Sequence, residues 1–341
     1  MTEQKQRLRH SSDSEPGYSR KRTGRSWAYF AEDGERVTDR DTIDRLNAIG
    51  LPPAYEKAWF CKDSNGHLQA TGIDARGRKQ YRYHDDFRAR ADKNKFSGLL
   101  ELGKALPKLR RRIDKDLGKR SLTRDKVLAT VVRLLDTEYL RIGSERYAKE
   151  NKSFGATTLL CRHVKTDGGK VKMRFSGKHG IVREVVITDR RLRRIVRQCQ
   201  ELPGQPLFQY INGDGTPHPV SSADVNDYIR EATGGEFTAK HFRTWAASVI
   251  AFDKLLDLEE DARISVATVV EPVAEALGNT VAISRKSYVH PAIIDAVKDR
   301  PRDPLKGMQR PRERKWLTSA EVALCKFLNS PAGRRKAKPT G

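Results

Sequence analysis

The sequence lacks the features by which several large classes of protein are recognised. No stretch is long and apolar enough to span a membrane, and the N-terminus is polar rather than signal-like. The four cysteines include no CxxC pair, which favours reduced, intracellular thiols over a disulfide framework. No HExxH motif or Cys/His cluster has zinc spacing, and no GxxxxGK[ST] motif indicates ATP binding. These absences predict a cytoplasmic protein without a metal or nucleotide cofactor.

Positive charge is what the chain has in excess. Lys and Arg number 67 against 44 Asp and Glu, which gives a formal net charge of +23 and a pI near 10.0. Such a surplus steers a protein towards phosphates. The length of 341 residues and the hydrophobic fraction of 37% are sufficient for two domains with cores. We therefore expect a basic globular protein that binds a polyanion.

Composition divides the chain into four segments. Residues 1–26 and 331–341 are basic with few large apolar side chains, and both are predicted to be disordered arms. Residues 27–100 contain short apolar segments separated by Gly, Asp, Asn and Pro, which is typical of a small antiparallel β domain. Strands are predicted at 58–61, 68–73 and 79–83, and a short helix at 41–46.

Residues 101–330 have mostly helical periodicity. Thr123 can cap a helix with a wide apolar stripe that is predicted to stop near Gly143. One segment alternates instead, with Val171, Met173 and Phe175 on one face, and predicts a β-hairpin with Lys178 at its tip. Further helices are predicted at 222–232, at 238–252, before Gly278 and from Thr318. The predicted fold class is α+β, a small antiparallel β domain followed by a mostly α-helical domain with a β-hairpin.

Tyr288 is the first candidate for chemistry. It follows a helix end at Gly278 and comes two residues after Lys286, which Arg285 precedes. A phenol with a pKa of about 10 is a poor nucleophile at neutral pH, but nearby guanidinium groups would favour the phenolate and would bind a phosphate. The alternative is a structural tyrosine that packs its ring and leaves its hydroxyl group at the surface.

Two arginines could complete a phosphoryl-transfer site. Arg141 lies where the chain leaves the predicted core helix, and Arg243 lies in a largely apolar helical stretch, which indicates a fixed position. Forked guanidinium groups suit the non-bridging oxygens of a pentacoordinate phosphorus. Lys178 is either an exposed turn residue or a general acid that protonates the leaving oxygen.

Five segments share a pattern with one enzyme family, in order between about residues 28 and 326. They read Gly77-Arg78-Lys79-Gln80-Tyr81-Arg82-Tyr83-His84; Leu140-Arg141-Ile142-Gly143 with Tyr147, Lys149-Glu150-Asn151 and Gly155; Ser176-Gly177-Lys178; Lys240-His241-Phe242-Arg243-Thr244-Trp245; and Leu277-Gly278-Asn279-Thr280 through Ser287-Tyr288. Together they resemble the type IB DNA topoisomerases, and the small poxvirus-like and bacterial branch fits best.

The resemblance implies a tyrosine recombinase/type IB topoisomerase catalytic fold and relaxation of supercoiled duplex DNA without ATP or metal. Tyr288 would attack the scissile phosphodiester, leaving a 3′-phosphotyrosyl bond and a free 5′-hydroxyl. Arg141, Arg243 and Asn279 would hold the non-bridging oxygens, and Lys178 would be the general acid. Lys240 is a candidate helper near the leaving oxygen.

Two positions depart from the pattern of the family. Many members carry histidine where this chain has Asn279, and an amide can donate a hydrogen bond but cannot carry a positive charge or transfer a proton. His241 stands where an acidic residue is common in the small enzymes, and it is assigned no role.

The segment around Gln80 is the candidate for contact with DNA, together with Arg78. In the related enzymes this strand enters the major groove, where Gln80 or Tyr81 would touch base edges. Alternation places Gln80 on one face and Tyr81 and Tyr83 on the other; the alternative is an edge strand whose aromatic rings pack on the sheet. The expected partner is duplex DNA, held by a monomeric clamp associated with the nucleoid, with a steep salt dependence of binding.

Two other functions fit part of this pattern. A site-specific tyrosine recombinase would share the arginines, the lysine and the tyrosine, but it usually has a helical N-terminal domain. A DNA-binding protein that retains the fold without catalysis is the second alternative. The strand-rich N-terminal region argues against the recombinase.

Overall fold

The computed structural model describes residues 7–24, 26–167, 169–258, 264–298, 305 and 308–334. They divide into two compact units, residues 1–95 and 96–341. The predicted boundary between residues 100 and 101 is therefore too late. It would cut a continuous helix at Leu99–Leu117, whose Leu99 and Leu102 pack in the core of the second unit.

The first unit contains a five-stranded antiparallel sheet with the order β2-β1-β3-β4-β5. The buried side chains of Tyr29, Leu46, Phe60 and Ala70 form its core, and they bring helix α1 against the sheet. The three predicted strands and the short helix are confirmed. The elements are β1 (Gly17–Thr23), β2 (Ser26–Phe30), α1 (Arg40–Ala48), β3 (Glu56–Cys61), β4 (Leu68–Ile73) and β5 (Lys79–Tyr83).

The prediction that residues 1–26 form a disordered arm is wrong for the part that is described. Strand β1 pairs with β2 and β3, although its sequence is basic. Arg20 explains why, since its guanidinium donates to the carbonyls of Leu51 and Pro52 and lies 4.4 Å from the centre of the Trp27 ring. A long basic side chain thus supplies both packing surface and hydrogen bonds. Residues 1–6 lie outside the described residues.

The second unit is mostly helical, and several of its helices begin or end at the capping residues that the sequence contains. The Thr123 side chain accepts from the backbone N–H of Lys126, Gly278 ends a helix with φ +61°, and Thr318 forms a capping box with Glu321. The helices are α2 (Asp85–Ser97), within which the two units divide, α3 (Leu99–Leu117), α4 (Arg124–Thr137), α5 (Glu145–Asn151), α6 (Arg190–Gln200), α7 (Ser222–Thr233), α8 (Ala239–Leu256), α9 (Val266–Leu277), α10 (Val281–Ser287), α11 (Pro291–Lys298), α12 (Ser319–Asn329) and α13 (Pro331–Arg334).

Two predicted ends differ from the structure. Helix α4 ends at Thr137 rather than near Gly143, because Tyr139 adopts φ +54° and Gly143 adopts φ +100°, neither of which continues a helix. Arg141 therefore lies in a loop. The predicted C-terminal arm at 331–341 is wrong for 331–334, which form α13, and residues 335–341 lie outside the described residues.

The predicted hairpin is confirmed, with a third strand that the sequence did not indicate. Val171, Met173 and Phe175 are buried on its inner face, as the alternation predicts. Lys178 lies in a short 3₁₀ turn at the tip, beside His179 at φ +65°. The strands are β6 (Val164–Asp167), β7 (Lys170–Ser176) and β8 (Val182–Ile187), and a separate ribbon contains β9 (Gln209–Ile211) and β10 (Pro217–Pro219).

Among the described residues, no single helix is long and apolar enough to cross a membrane. Helices α9 and α10 reach that length and composition only when taken together, and they are bent by 96° relative to each other. The long apolar faces of the second unit instead pack in its core, where Leu106, Val131 and Phe252 have no exposed surface.

A buried ion-pair network connects four helices of the second unit. Arg110 on α3 donates to Asp136 on α4 at 2.8 Å and to Glu321 on α12 at 2.7 Å. Trp245 on α8 donates its indole N–H to the same Glu321 carboxylate at 3.0 Å. Burial alone would raise the pKa of Glu321, but the hydrogen bond and charge of Arg110, with the hydrogen bonds from Trp245 and Thr318, together outweigh burial, and the pKa lies below the ordinary value. This network therefore holds α8 against α3, α4 and α12.

Replacing Arg110 by Met is expected to lower the free energy of unfolding by about 3–5 kcal/mol, because it leaves two buried carboxylates without their cation. Denaturant unfolding measures this change. The matched control is Arg174→Met in the same unit, since that side chain is 72% exposed on β7. Equal stabilities of the two variants would contradict the assignment of the network as a central tie of this unit.

Candidate active site

Four of the predicted residues come together from distant parts of the second unit. Arg141 follows α4, Arg243 lies on α8, Asn279 lies in the turn between α9 and α10, and Tyr288 ends α10. The Arg141 Nη2 group donates to the Asn279 side-chain oxygen at 2.8 Å. The carbon of the Arg243 guanidinium lies 5.1 Å from the centre of the Tyr288 ring. The structure thus forms one cationic cluster around one tyrosine.

Arg243 is the most buried member of this cluster, with only 4% of its surface exposed. Its guanidinium donates to the carbonyl oxygens of Tyr139 and Leu277, the latter at 3.0 Å. Burial, followed by the positive charge of Arg141, lowers the pKa of Arg243 to about 10. The apolar helix surface predicted a fixed position for this side chain, and the structure confirms it.

Arg141 is held through its backbone. Its carbonyl accepts from the N–H of Ala156 at 2.8 Å, and the next carbonyl, that of Ile142, accepts from Thr157 at 2.7 Å. Gly155 makes this close approach possible, because a Cβ atom there would lie 2.6 Å from the Arg141 carbonyl oxygen. The glycine at 155 therefore fixes the loop from which Arg141 projects.

Tyr288 is attached to α8 by a residue that the sequence did not indicate. The Ser248 hydroxyl lies 3.4 Å from the Tyr288 carbonyl oxygen, to which it donates, and it accepts from the N–H of His290 at 3.0 Å. Ser248 is fully buried, one and a half turns along the same helix from Arg243. Nothing in the sequence distinguishes it from a serine that merely packs in a core helix.

The electrostatic setting of Tyr288 is set by residues that are remote in sequence. Burial would raise the pKa of its phenol, but the charges of Arg243 and Arg141, together with hydrogen bonds from both, more than offset burial, and the pKa lies below its ordinary value of 10.0. The adjacent Arg285 and Lys286, which first drew attention to this tyrosine, are exposed. A lowered pKa increases the fraction of phenolate, which is the nucleophilic form.

One of the two polar groups in the Asn279 side chain has no hydrogen-bond partner among the described residues. Its oxygen accepts from Arg141, whereas its Nδ2 group is buried without a hydrogen-bond partner among the described residues. A buried donor without an acceptor is unfavourable by about 1–3 kcal/mol. This amide is therefore suited to donate to an added acceptor such as a phosphate oxygen.

The two predicted lysines are not part of this cluster. Lys178 is exposed at the hairpin tip and Lys240 is exposed in the first turn of α8. In the part of the chain that the structure describes, neither forms an ion pair or hydrogen bond with the four residues. His241 caps α8, since its Nδ1 atom accepts from the N–H of Thr238 at 2.9 Å, and burial lowers its pKa.

Arg183 on β8 is a third guanidinium at the site, and the sequence analysis missed it. It donates to the Ala276 carbonyl at 3.2 Å, and burial followed by the charge of Arg141 lowers its pKa. A signal was present, because position 183 has the same parity along the strand as the buried Val185 and Ile187. A charged residue on the apolar face of a strand indicates a specific role.

Three of the predicted DNA-contacting residues, Gln80, Tyr81 and Tyr83, lie on β5, an edge strand of the sheet, and Arg78 immediately precedes that strand. Asp74 accepts from Arg78 and from the Gln80 amide, both at 2.9 Å, and its hydrogen bond to Arg78 holds the pKa of that carboxyl well below its usual range. Tyr81 and Tyr83 stack on the other face with ring centres 6.3 Å apart. The predicted alternation of faces is confirmed.

Comparison with known proteins gives matches along most of the chain. Residues 84–309 match a family model described as the catalytic core of eukaryotic DNA topoisomerase I, and residues 26–74 match one described as the N-terminal domain of bacterial DNA topoisomerase IB. DNA topoisomerase 1B of Acanthamoeba polyphaga mimivirus is 32% identical over 298 residues, 84% of this chain and 88% of that protein. DNA topoisomerase 1B of Vaccinia virus (strain Copenhagen) is 21% identical over 293 residues, 80% of this chain and 90% of that protein.

A solved structure of the XerH site-specific recombinase with its difH substrate is also similar, with 19% identity and a TM-score of 0.36. The similarity covers 54% of this chain and 47% of the recombinase. A similarity this low supports no conclusion about this chain.

Arg141→Met is expected to raise the pKa of Tyr288, because it removes a charge and a hydrogen bond that stabilise the phenolate. Absorbance titration of tyrosinate, with the curve of Tyr288→Phe subtracted, measures the change in the DNA-free protein. Arg285→Met is the matched control and should leave the titration nearly unchanged, since Arg285 is exposed and solvent screens its charge. A larger shift in the control than in Arg141→Met would contradict the described site.

Proposed function

We propose that this chain, which belongs to the type IB DNA topoisomerase family, uses Tyr288 to open one strand of duplex DNA. Its activity is that of the family: it relaxes supercoiled DNA by transient cleavage through a 3′-phosphotyrosyl bond, strand rotation and religation, without ATP. The observation that carries the assignment to residues is the convergence of Arg141 and Arg243 on a tyrosine whose pKa they lower.

The first step is attack of the Tyr288 oxygen on the scissile phosphorus. The phenolic proton passes to water, a bond forms between the phenolic oxygen and phosphorus, and the bond from phosphorus to the 5′-oxygen breaks. The lowered pKa of Tyr288 makes the loss of its proton easier at neutral pH. Ser248 holds the tyrosine backbone on α8, which restricts the position from which it attacks.

Charge that develops on the non-bridging oxygens is stabilised by Arg141, Arg243 and the Asn279 amide. Guanidinium donors that are already fixed in a partly dry site need little reorganisation during the reaction. Asn279 supplies a neutral donor where many relatives have histidine, so it adds a hydrogen bond but no charge. Removal of one such donor typically lowers the rate by about 100- to 1,000-fold.

Lys178 is proposed to protonate the leaving 5′-oxygen, with Lys240 as a helper. Both lysines are exposed, so each is free to reorient when DNA binds. The released strand then rotates about the intact one, and the 5′-hydroxyl attacks the phosphotyrosyl bond to reseal the DNA. Because that bond conserves the energy of the phosphodiester, resealing needs neither ATP nor a metal ion.

Strand β5 is proposed to contact the duplex in the major groove. Gln80 is held by Asp74 through one amide hydrogen, which leaves the second hydrogen and the oxygen to pair with an adenine. Arg78, held by the same carboxylate, would contact phosphate. We further propose that one chain encloses the DNA, so that the active species is a monomer associated with the nucleoid.

Purified protein is expected to relax supercoiled plasmid in EDTA without ATP. Tyr288→Phe should abolish both relaxation and the covalent adduct while leaving DNA affinity nearly unchanged, since only the nucleophilic oxygen is lost. Agarose gels and trapping of the adduct, followed by mass spectrometry of the modified peptide, are the measurements. A requirement for Mg²⁺ and ATP, or an adduct on another tyrosine, would contradict the proposal, and exchange between two specific sites would favour a recombinase.

Gln80→Leu is expected to weaken discrimination between preferred and altered DNA sites by about 1–3 kcal/mol, because it removes a base contact. Arg78→Met should instead weaken binding to all sequences and reduce the slope of log affinity against log salt by about 1. Binding titrations at several salt concentrations measure both effects. Identical profiles for the two variants would contradict separate roles in base and phosphate contact.

A further inference from the structure

Arg183 occupies a position in the hairpin that favours an apolar side chain. It lies opposite Phe175 in the register of β7 and β8, and Phe175 is buried on the inner face. Directly opposed residues of an antiparallel pair project to the same side of the sheet. Arg183 therefore projects inward, although burial and the charge of Arg141 both disfavour a cation there.

The stem of this side chain lies under the hairpin tip. A Cβ atom on Gly177 would lie 3.4 Å from Cγ of Arg183, at van der Waals distance, so the arginine stem lies close to the turn. Gly177 immediately precedes Lys178. The first half of the Arg183 side chain thus lies close to the turn that carries the proposed general acid.

The guanidinium end of Arg183 lies against the turn that carries Asn279. A Cβ atom on Gly278 would lie only 2.6 Å from Nη1 of Arg183, while Nη2 donates to the Ala276 carbonyl at 3.2 Å. A side chain at 278 would therefore displace the end of Arg183, and the φ of +61° itself favours glycine. The carbonyl of Ala276 lies in the last turn of α9, where a cation is favourable.

The Arg183 side chain therefore extends between two glycines, and each precedes a residue of the proposed reaction. Among the described residues, Arg183 donates a hydrogen bond to a backbone carbonyl and forms no ion pair with a carboxylate. Its charge also lowers the pKa of Arg243, which shows that a third guanidinium at the site is electrostatically unfavourable. A role in packing alone would be served at lower cost by an apolar residue.

We infer that Arg183 is a positioning residue that couples the Lys178 hairpin to the turn of Gly278 and Asn279. The inference rests on the proposed function of Lys178. When Tyr288 displaces the 5′-oxygen, a proton passes from the Lys178 ammonium to that oxygen, and Arg183 fixes the distance over which it passes. Its Nη2 group donates to the Ala276 carbonyl, so Arg183 ties the hairpin to the last turn of α9.

The test compares two DNA substrates in single-turnover cleavage. One is ordinary DNA, and the other carries sulfur in place of the bridging 5′-oxygen at the scissile phosphate. A thiol has a pKa of about 8.5, so it leaves as the thiolate without a proton from the enzyme. A variant that has lost proton delivery should therefore cleave the sulfur substrate at the parental rate. A variant that has lost charge stabilisation at the non-bridging oxygens should remain slow on that substrate.

Arg183→Met is expected to cleave ordinary DNA about 100-fold more slowly, the usual consequence of a misplaced reacting group, and to cleave the sulfur substrate at the parental rate. Arg183→Lys should retain more activity than Arg183→Met, since it keeps one donor for Ala276. Arg174→Met is the matched control, because it removes the same charge from the outer face of the same hairpin. That control should behave as the parent on both substrates, and DNA affinity should be equal in Arg183→Met and Arg174→Met.

Two reference variants separate failure of this inference from failure of the proposed function. Lys178→Ala should be slow on ordinary DNA and restored by sulfur, and Arg141→Met should be slow on both substrates. If Lys178→Ala is not restored, the general-acid assignment fails and the inference with it. If Lys178→Ala is restored but Arg183→Met stays slow on the sulfur substrate, or matches Arg174→Met on ordinary DNA, the positioning role is overturned. Should Arg183→Met fold poorly, Arg183→Lys carries the same comparison.

Discussion

The active site depends on one buried cation, the Arg243 guanidinium. It donates to the carbonyl oxygens of Tyr139 and Leu277, and so it joins the loop that leads to Arg141 to the helix end that precedes Asn279. The same guanidinium lies beside the Tyr288 ring. Backbone carbonyls accept hydrogen bonds from both of its Nη groups without neutralising its charge. Its positive charge is therefore left to act on the phenol and on an incoming phosphate.

Three guanidinium groups in one site make the DNA-free protein electrostatically unfavourable there. In the described residues, none of Arg141, Arg183 and Arg243 forms an ion pair with a carboxylate, and burial, followed by repulsion from Arg141, lowers the pKa values of Arg183 and Arg243. A phosphodiester, and still more its pentacoordinate transition state, supplies the missing negative charge. The site is thus complementary to the reaction rather than to the resting protein, which is the condition for catalysis by differential binding. The buried network of Arg110, Asp136 and Glu321 holds the surrounding helices together against this repulsion.

Much of the fold could be predicted because local patterns decide local structure. Alternation gave the hairpin with Lys178 at its tip, and capping residues gave the starts of α4, α8 and α12. Predictions failed where order or disorder was inferred from amino-acid composition without knowledge of the packing. The basic strand β1 is ordered because basic side chains such as Arg20 pack on it. The Arg20 guanidinium lies over the Trp27 ring and donates to the Leu51 carbonyl. Helix α4 stops early because the backbone at Tyr139 turns to positive φ, where it supplies a carbonyl to Arg243.

The sequence by itself determined the proposal for the chemistry: a tyrosine as nucleophile, arginines for a phosphate and a lysine on a hairpin, with no motif for ATP or a metal. These follow from residue type and from order along the chain. Only the tertiary structure decided which cations act on Tyr288, and it placed Arg183 and Ser248 at the site. The physical reason is that charge and hydrogen bonding depend on distance in space. Arg141 and Asn279 are 138 residues apart in the chain and 2.8 Å apart at their side chains, and no local pattern records that contact.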